Sequence, residues 1–168
     1  NAILIIVTNP LDTMAYVALK KSGLPKNRVI GMGGGLDSAR FKYYLSKKAD
    51  VAINDVDAMV IGGHGDTTMI PLTRYAAYRG IPVSELIDAE TLKQIAADTM
   101  VGGATLTKLL GTSAWYAPGA AAASVVESIL GDQKRMIPCG CYLEGEYGQE
   151  DIMIGVPVVI GRKGIEKI

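Results

Sequence analysis

The hydrophobic pattern at the start of the chain predicts a strand, a helix and a second strand. Residues 2–7 form a nearly unbroken apolar run, which is typical of a parallel strand buried on both faces. Asn9 is placed to cap the following helix and Pro10 to occupy its first position, after which apolar residues recur at helical spacing. A short strand over residues 29–32 completes the pattern. Residues 1–32 are therefore interpreted as one βαβ unit of a doubly wound sheet.

Longer amphipathic helices follow this unit. Three consecutive glycines at residues 33–35 predict a break before a helix over residues 36–48. A second helix, capped at residue 88 or 91, is interrupted by the glycines at residues 102–103. A third, alanine-rich helix covers residues 119–130.

The last part of the chain has the period of extended strands. Residues 136–143 and 152–160 predict two antiparallel strands joined by a short turn. Pro157 predicts an edge position or a bulge in the second strand, because proline cannot donate a hydrogen bond to a sheet. The charged segment that ends at Ile168 is interpreted as the approach to another helix.

Composition and charge exclude several classes of function. The sequence has 17 basic and 17 acidic residues and no basic cluster longer than two lysines, so we expect neither nucleic acid nor a membrane surface as a partner. The longest apolar run is far shorter than the roughly 18 residues of a membrane-spanning helix. Cys139 and Cys141 lie two apart on one predicted strand, which favours reduced thiols in a cytoplasmic protein over a disulfide or a zinc site. We therefore expect no metal.

The only histidine, His64, is the first candidate for chemistry. It follows the strand-like residues 55–61 and lies in the loop GGHGDT, whose glycines are expected to keep bulk away from the ring. An imidazole titrates near neutral pH, so this position suits general acid/base catalysis. A structural or surface histidine is the alternative, and only its partners can decide between the two.

Asp37 and Arg40 lie three residues apart and share one face of the predicted helix over residues 36–48. A surface ion pair worth under ~1 kcal/mol is the alternative interpretation of these two residues. The glycines at residues 33–35 are not a phosphate-binding loop, since their spacing fits neither nucleotide fingerprint.

Four motifs, in their order and spacing, resemble the lactate/malate dehydrogenase family. They are VTNP at residues 7–10, LDSAR at 36–40, GGHGD at 62–66 and AP at 117–118. The resemblance spans the whole chain. Within the family, the segments YAP at 116–118 and GVPV at 155–158 are most similar to the lactate-dehydrogenase-like malate dehydrogenases.

The resemblance implies an α/β fold with two parts. Residues 1–32 are expected to be the last βαβ unit of a Rossmann-type parallel sheet, at the carboxyl end of a dinucleotide-binding domain, and residues 33–168 an α+β substrate/catalytic domain. The family's glycine fingerprint and substrate-selecting loop do not occur in the sequence. The chain is therefore interpreted as a fragment that is inactive in isolation. NAD as cofactor, malate or oxaloacetate as substrate, and a homodimer or homotetramer are also implied.

The resemblance also implies roles for individual residues. His64 is expected to act as general acid/base, with Asp37 bound to its other ring nitrogen. Arg40 is expected to hold the substrate carboxylate through two hydrogen bonds. Further substrate contacts are expected from Asn9 and Ser113. Cofactor contacts are expected from Val7, Thr8, Asn9 and Ala117.

Two alternatives remain open at this point. One is a lactate or other 2-hydroxy-acid dehydrogenase, because the loop that selects the substrate is not in the sequence. The other is a non-catalytic binding or assembly module that has kept the fold. The joint presence of His64, Asp37, Arg40 and Asn9 argues against the module, since a purely structural role does not require these chemistries together.

Overall fold

The first residues fold into the predicted βαβ unit. The computed structural model describes residues 2–168, so Asn1 lies outside the described part of the chain. Strand β1 (Leu4–Ile6) pairs in parallel with strand β2 (Val29–Gly31), and helix α1 (Leu11–Ser22) connects them. The prediction that Asn9 caps α1 is wrong. The first helical hydrogen bond runs from the Met14 N–H to the Pro10 carbonyl, so the cap position belongs to Pro10 and Asn9 lies outside the helix.

Three longer helices follow. The first begins within the glycines that were predicted to precede it, and the second runs through glycines that were predicted to interrupt it. The three helices are α2 (Gly34–Ala49), α3 (Ala89–Leu110) and α4 (Tyr116–Leu130). Helix α2 includes Gly34 and Gly35, while α3 continues through Gly102 and Gly103. These glycines mark close contacts instead of breaks. A Cβ on Gly34 would lie 2.8 Å from the Pro138 carbonyl oxygen.

The start of α3 agrees with the sequence. The Asp88 side chain accepts a hydrogen bond from the Thr91 N–H at 2.9 Å, which satisfies a free amide of the first turn. Asp88 is therefore the cap. Helix α3 ends at Leu110, and α4 begins at Tyr116, three residues before the predicted start of the alanine-rich helix.

The carboxyl-terminal hairpin is confirmed, with one correction. Strands β8 (Arg135–Glu144) and β9 (Glu150–Gly161) are antiparallel, and β10 (Gly164–Lys167) pairs with β9. Strand β9 is not an edge strand. Pro157 lies opposite Pro138, in the gap between Gly155, which pairs with β4 (Val60–Gly62), and Val159, which pairs with β10. Among the described strands it therefore has a neighbour on one side only, and the predicted edge position is met locally. The segment interpreted as the approach to a helix is β10 itself.

Short strands surround the His64 loop. The predicted strand over residues 55–61 is divided into β3 (Val56–Asp57) and β4 (Val60–Gly62). The other short strands are β5 (Met69–Pro71), β6 (Ala77–Tyr78) and β7 (Ile81–Pro82). Strands β3, β6 and β7 form a small sheet, while β4 and β5 end a seven-stranded sheet of order β1-β2-β8-β9-β4-β5, with β10 on β9. His64 follows β4 after one residue, Gly63.

Two pairs of glycines join the parts of the large sheet. Gly31 of β2 lies opposite Gly140 of β8, and Gly62 of β4 lies opposite Gly155 of β9. A Cβ on Gly31 would lie 3.2 Å from the Gly140 Cα, and one on Gly155 would lie 2.6 Å from the Gly62 carbonyl oxygen. At these two points the βαβ unit, the hairpin and the strand before His64 meet through bare main chain.

Helix α2 is fixed between two hydrophobic clusters. Leu36 at its start packs into a cluster with β2, α4 and the hairpin, whereas Phe41 and Leu45 pack into a cluster with β3, β4, β5 and α3. Burial on both sides restrains the helix that carries Asp37 and Arg40. Over residues 2–168, no helix combines the length and the hydropathy that a membrane crossing demands.

Candidate active site

Asp37 forms the buried centre of the site. It lies in the first turn of α2, and its side chain is 2% exposed. The neighbouring Ser38 hydroxyl accepts a hydrogen bond from the Val60 N–H at 2.9 Å, which attaches α2 to the strand before His64. Asp37 and the His64 loop are thus held in a fixed relation.

The His64 ring contacts Asp37 as predicted. Nδ1 lies 2.7 Å from Asp37 Oδ2, so in the neutral ring Nδ1–H donates to the carboxylate and Nε2 carries the lone pair. Within residues 2–168, Nε2 makes no hydrogen bond, and 16% of the side chain is exposed. The bond to Asp37 raises the pKa of His64, while burial and the nearby Arg40 oppose that shift. The arrangement can accept and return one proton at Nε2.

Arg40 binds the other oxygen of the same carboxylate. Its Nη1 donates to Asp37 Oδ1 at 3.0 Å. The two side chains are 19% and 2% exposed, so this is not the surface ion pair considered as an alternative. Gly102 and Gly103 of α3 make room for Arg40, because a Cβ on Gly103 would lie 3.2 Å from Nη1. His64, Asp37 and Arg40 are called the His64 cluster below.

A different glycine from those predicted makes room for the imidazole. A Cβ on Gly33 would lie 2.9 Å from the His64 Cγ. In contrast, a Cβ on Gly63 or Gly65 would meet the Thr68 side chain, at 2.6 and 3.1 Å from its Oγ1. The glycines beside His64 therefore let its loop fold tightly, and the free space around the ring depends on Gly33.

Asp12 is a site residue that the sequence did not reveal. Its Oδ2 accepts a hydrogen bond from the His64 N–H at 2.8 Å. Burial raises the pKa of this half-buried carboxyl group, whereas the bond from His64 opposes the shift. Aspartate is common in the first turn of a helix because its negative charge interacts favourably with the helix dipole. The local sequence around Asp12 in α1 therefore did not indicate a role in the site.

The remaining predicted site residues, all within the described chain, make no hydrogen bond to the His64 cluster. These are Val7, Thr8, Asn9, Ser113 and Ala117, all of which are exposed. In the described chain, the side chains of Thr8, Asn9 and Ser113 make no hydrogen bond to one another or to the cluster. Ala117 instead lines a groove of about 820 Å³ between α2, α4 and β8, a groove that His64 does not line.

Thiol and metal chemistry find no support in the described residues. Cys139 and Cys141 are free and buried, and burial raises the pKa of both thiols to about 12. Among residues 2–168, no three His, Cys, Asp or Glu side chains are grouped so that they could hold a metal ion.

Two family models match the chain. One, described as the lactate/malate dehydrogenase NAD binding domain, matches residues 1–31. The other, described as the lactate/malate dehydrogenase alpha/beta C-terminal domain, matches residues 35–168.

Individual relatives match with high identity but extend further. The malate dehydrogenase of Bacteroides thetaiotaomicron is 70% identical over 168 residues, which is 100% of this chain and 54% of the relative. The malate dehydrogenase structure from Salinibacter ruber has a TM-score of 0.95 at 51% identity, over 99% of this chain and 54% of that one. The lactate dehydrogenase structure from Eimeria maxima, with NADH and oxamate, has a TM-score of 0.96 at 42% identity, over 100% of this chain and 52% of that one.

The chain thus spans about half the length of the curated relatives it matches, at 54%. The likeness to solved structures confirms the predicted fold class, a Rossmann-type βαβ unit followed by an α+β region. Since the second family model alone covers residues 35–168, the chain belongs to the lactate/malate dehydrogenase family.

Proposed function

We propose that the chain contributes the proton-transfer and carboxylate-binding part of an NAD-dependent malate dehydrogenase, which interconverts malate and oxaloacetate. One observation carries this proposal: buried Asp37 holds both His64 and Arg40, so a proton carrier and an anion receptor share one anchor. The identity of 70% to a malate dehydrogenase supports the choice of substrate.

His64 is the proposed acid and base. In malate oxidation, neutral His64 removes the proton of the C2 hydroxyl at Nε2, and Asp37 stabilises the imidazolium that forms. In oxaloacetate reduction, the imidazolium returns this proton. Because Asp37 fixes Nδ1, the accepting nitrogen is defined before the substrate binds.

Arg40 is the proposed receptor for the C1 carboxylate of the substrate. One of its nitrogens is bound to Asp37, and the guanidinium retains further N–H groups that can form a two-point contact. Exposed Asn9 and Ser113 are proposed as additional substrate contacts. These roles require the substrate to lie between the exposed turn after β1 and the His64 cluster.

The turn after β1 fits the nicotinamide end of NAD, which supplies the hydride acceptor when it is bound. Val7, Thr8 and Asn9 lie at the carboxyl end of a parallel strand, where doubly wound sheets bind ligands. Over residues 2–168, neither Thr8 nor Asn9 makes a side-chain hydrogen bond, so both side chains are available to a ligand. Ala117 is proposed as a further cofactor contact.

The wider organisation is also part of the proposal. Residues 1–32 would belong to the dinucleotide-binding domain and residues 33–168 to the substrate/catalytic domain. We propose a homo-oligomer, a dimer or tetramer, in the cytoplasm, where buried thiols such as Cys139 remain reduced.

A lactate dehydrogenase is the second candidate. Its support is the TM-score of 0.96 to the lactate dehydrogenase of Eimeria maxima, which is no lower than the 0.95 to a malate dehydrogenase. Fold likeness therefore does not separate the two activities. Sequence identity favours malate, at 70% against 42%.

The test is the reduction of oxaloacetate and of pyruvate by the intact enzyme with NADH, each measured as kcat/KM. We expect oxaloacetate to be preferred by about 100-fold or more. Pyruvate lacks the second carboxylate of oxaloacetate, so a charged group of the enzyme that binds this carboxylate would be left without its partner. A preference for pyruvate would replace malate with lactate dehydrogenase. Reduction of neither substrate would favour the non-catalytic module.

A further inference from the structure

Asp12 binds His64 from helix α1, which carries no residue of the His64 cluster. Its carboxylate does not cap its own helix, because α1 has no side-chain hydrogen bond at its cap. Instead, Oδ2 accepts the His64 N–H at 2.8 Å, across a sequence separation of 52 residues. A general helix-dipole role does not require this contact.

The surroundings of Asp12 place this carboxylate firmly. Leu11 and Ala15 are 2% and 0% exposed, so the first turns of α1 are anchored on both sides of Asp12. The loop can approach because residue 63 is a glycine, since a Cβ there would lie 3.3 Å from Asp12 Oδ2. The contact therefore joins the anchored first turns of α1 to bare main chain.

His64 is consequently held at two points. Helix α1 holds its main-chain N–H through Asp12, and helix α2 holds ring Nδ1 through Asp37. Within the loop, Gly63 N–H bonds to the Thr68 carbonyl at 3.1 Å, which leaves the His64 N–H free to point outward to Asp12. Two fixed points determine the direction in which Nε2 faces.

We propose that Asp12 is a positioning residue, whose carboxylate holds the His64 main chain so that Nε2 is directed to the substrate while Nδ1 remains on Asp37. This inference rests on the proposed function. The charge of the Asp12 carboxylate has a second effect on His64. Three charged groups face His64, namely Asp37 and Arg40 from α2 and Asp12 from α1, and Asp12 raises the pKa of the imidazole.

Two substitutions separate the hydrogen bond from the charge. Asp12→Asn retains an acceptor oxygen and removes the charge, so kcat should remain within about 3-fold while the pH profile of kcat moves to lower pH. Asp12→Ala removes both, so kcat should fall by roughly 10- to 100-fold, as expected when a catalytic group is misplaced. Glu90→Ala is the matched control, because Glu90 is also an acid in the first turn of a helix and should leave the profile unchanged.

A second readout does not depend on turnover. The imidazole signal of His64, assigned as the one that disappears from the proton NMR spectrum in His64→Asn, follows this residue through a pH titration of the intact enzyme. Both Asp12 variants should titrate at lower pH than the wild type, and Glu90→Ala should not. If Asp12→Ala does not fold, Asp12→Asn still gives the shift.

The outcomes distinguish this inference from the function on which it rests. Wild-type kcat and an unshifted His64 titration in the Asp12 variants would overturn the positioning role, even in an active enzyme. A wild type that reduces neither oxaloacetate nor pyruvate would overturn the proposed function, while the NMR titration would still decide whether Asp12 acts on His64.

Discussion

The His64 cluster and an exposed cluster around Asp151 use similar hydrogen bonds at opposite levels of burial. The Asp151 cluster consists of Tyr16, Lys20, Tyr142 and Asp151, and it joins α1 to the β8–β9 hairpin. Asp151 Oδ1 accepts hydrogen bonds from Tyr142 at 2.6 Å, Tyr16 at 2.9 Å and Lys20 at 3.1 Å. The Asp151 side chain is 65% exposed, against 2% for Asp37.

Burial decides what each carboxylate does for the chain. Water can replace any lost partner of Asp151, so the contribution of this cluster to stability is small despite its three donors. Asp37 is buried, so water cannot replace a lost partner, and the loss of one partner leaves a buried charge unsatisfied. The number of hydrogen bonds therefore does not rank the two clusters, whereas access to water does.

The two clusters also respond to pH in opposite directions. The pKa of His64 is raised, so its contribution to stability is complete below its unfolded pKa and is lost as pH rises through the folded value. Bonds from Tyr142, Lys20 and Tyr16 lower the pKa of Asp151 to about 2. Its contribution is therefore present above the unfolded pKa and is lost as pH falls through about 2.

The largest effect is expected from His64→Asn, which tests whether only the buried cluster performs chemistry. Turnover of the intact enzyme should fall by about 10²- to 10⁴-fold, because the proton carrier is removed, while NADH binding should remain nearly unchanged. Steady-state kinetics and NADH fluorescence titration measure the two quantities. Tyr142→Phe in the exposed cluster is the control, and equal loss of turnover in both variants would break the comparison.

Asp37→Ala tests the difference in stability directly. The free energy of unfolding should fall by about 3–5 kcal/mol, because His64 and Arg40 lose their shared anchor in a buried setting. Asp151→Ala is the matched control and should lower the free energy of unfolding only slightly. Urea denaturation at neutral pH gives both values, and similar losses would mean that burial is not decisive.

Gly103→Ala sharpens the comparison without removing any charge. The new methyl group would press on Arg40 Nη1, so KM for oxaloacetate should rise by about 3- to 10-fold. Gly119→Ala is the control, because it lies in α4 with nothing within 4 Å and should stabilise the protein by roughly 0.5–1 kcal/mol. An unchanged KM in Gly103→Ala would show that Arg40 adapts freely.

The smallest effect is expected from Asp151→Asn. At neutral pH the variant should melt within about 2 °C of the wild type, because each partner of Asp151 can turn to water. The difference should vanish in acid, as pH falls towards the lowered pKa of about 2. Melting curves at several pH values measure it, and a gap that grows in acid would reverse the assigned sign.

The residues of the His64 cluster could be predicted because each stands in a short contiguous motif. Asp37 and Arg40 share LDSAR, and His64 has its own glycine-bounded loop, so both the spacing and the chemistry are visible locally. Asp12 could not be predicted, because its partner is a main-chain N–H separated by 52 residues. Every residue except proline has a main-chain N–H, so the residue type does not indicate which N–H will bind a distant side chain.

The fold also has parts that the local sequence predicted and parts that it did not. The βαβ unit and the hairpin follow local periodicity and were predicted. Gly102 and Gly103 were wrongly interpreted as a helix break. The local sequence does not show that the guanidinium of Arg40, on another helix, packs against them. Pro157 fits within β9 because it lies in a gap between β4 and β10, which pair with β9 on either side of it. Long-range partners, and not local propensity, decided these positions.

The glycine pairs that join the sheet, Gly31 with Gly140 and Gly62 with Gly155, have a consequence for how this chain can evolve. At each joint the strands approach so closely that an added Cβ would meet the opposite main chain, 2.6 Å from the Gly62 carbonyl oxygen in the case of Gly155. Beside the joints, side chains of the βαβ unit and the hairpin pack together, as Val29 does with Met153, so substitutions there remain coupled. The four glycines are therefore expected to vary least of all, because no compensating change in a side chain can make room in an opposing main chain.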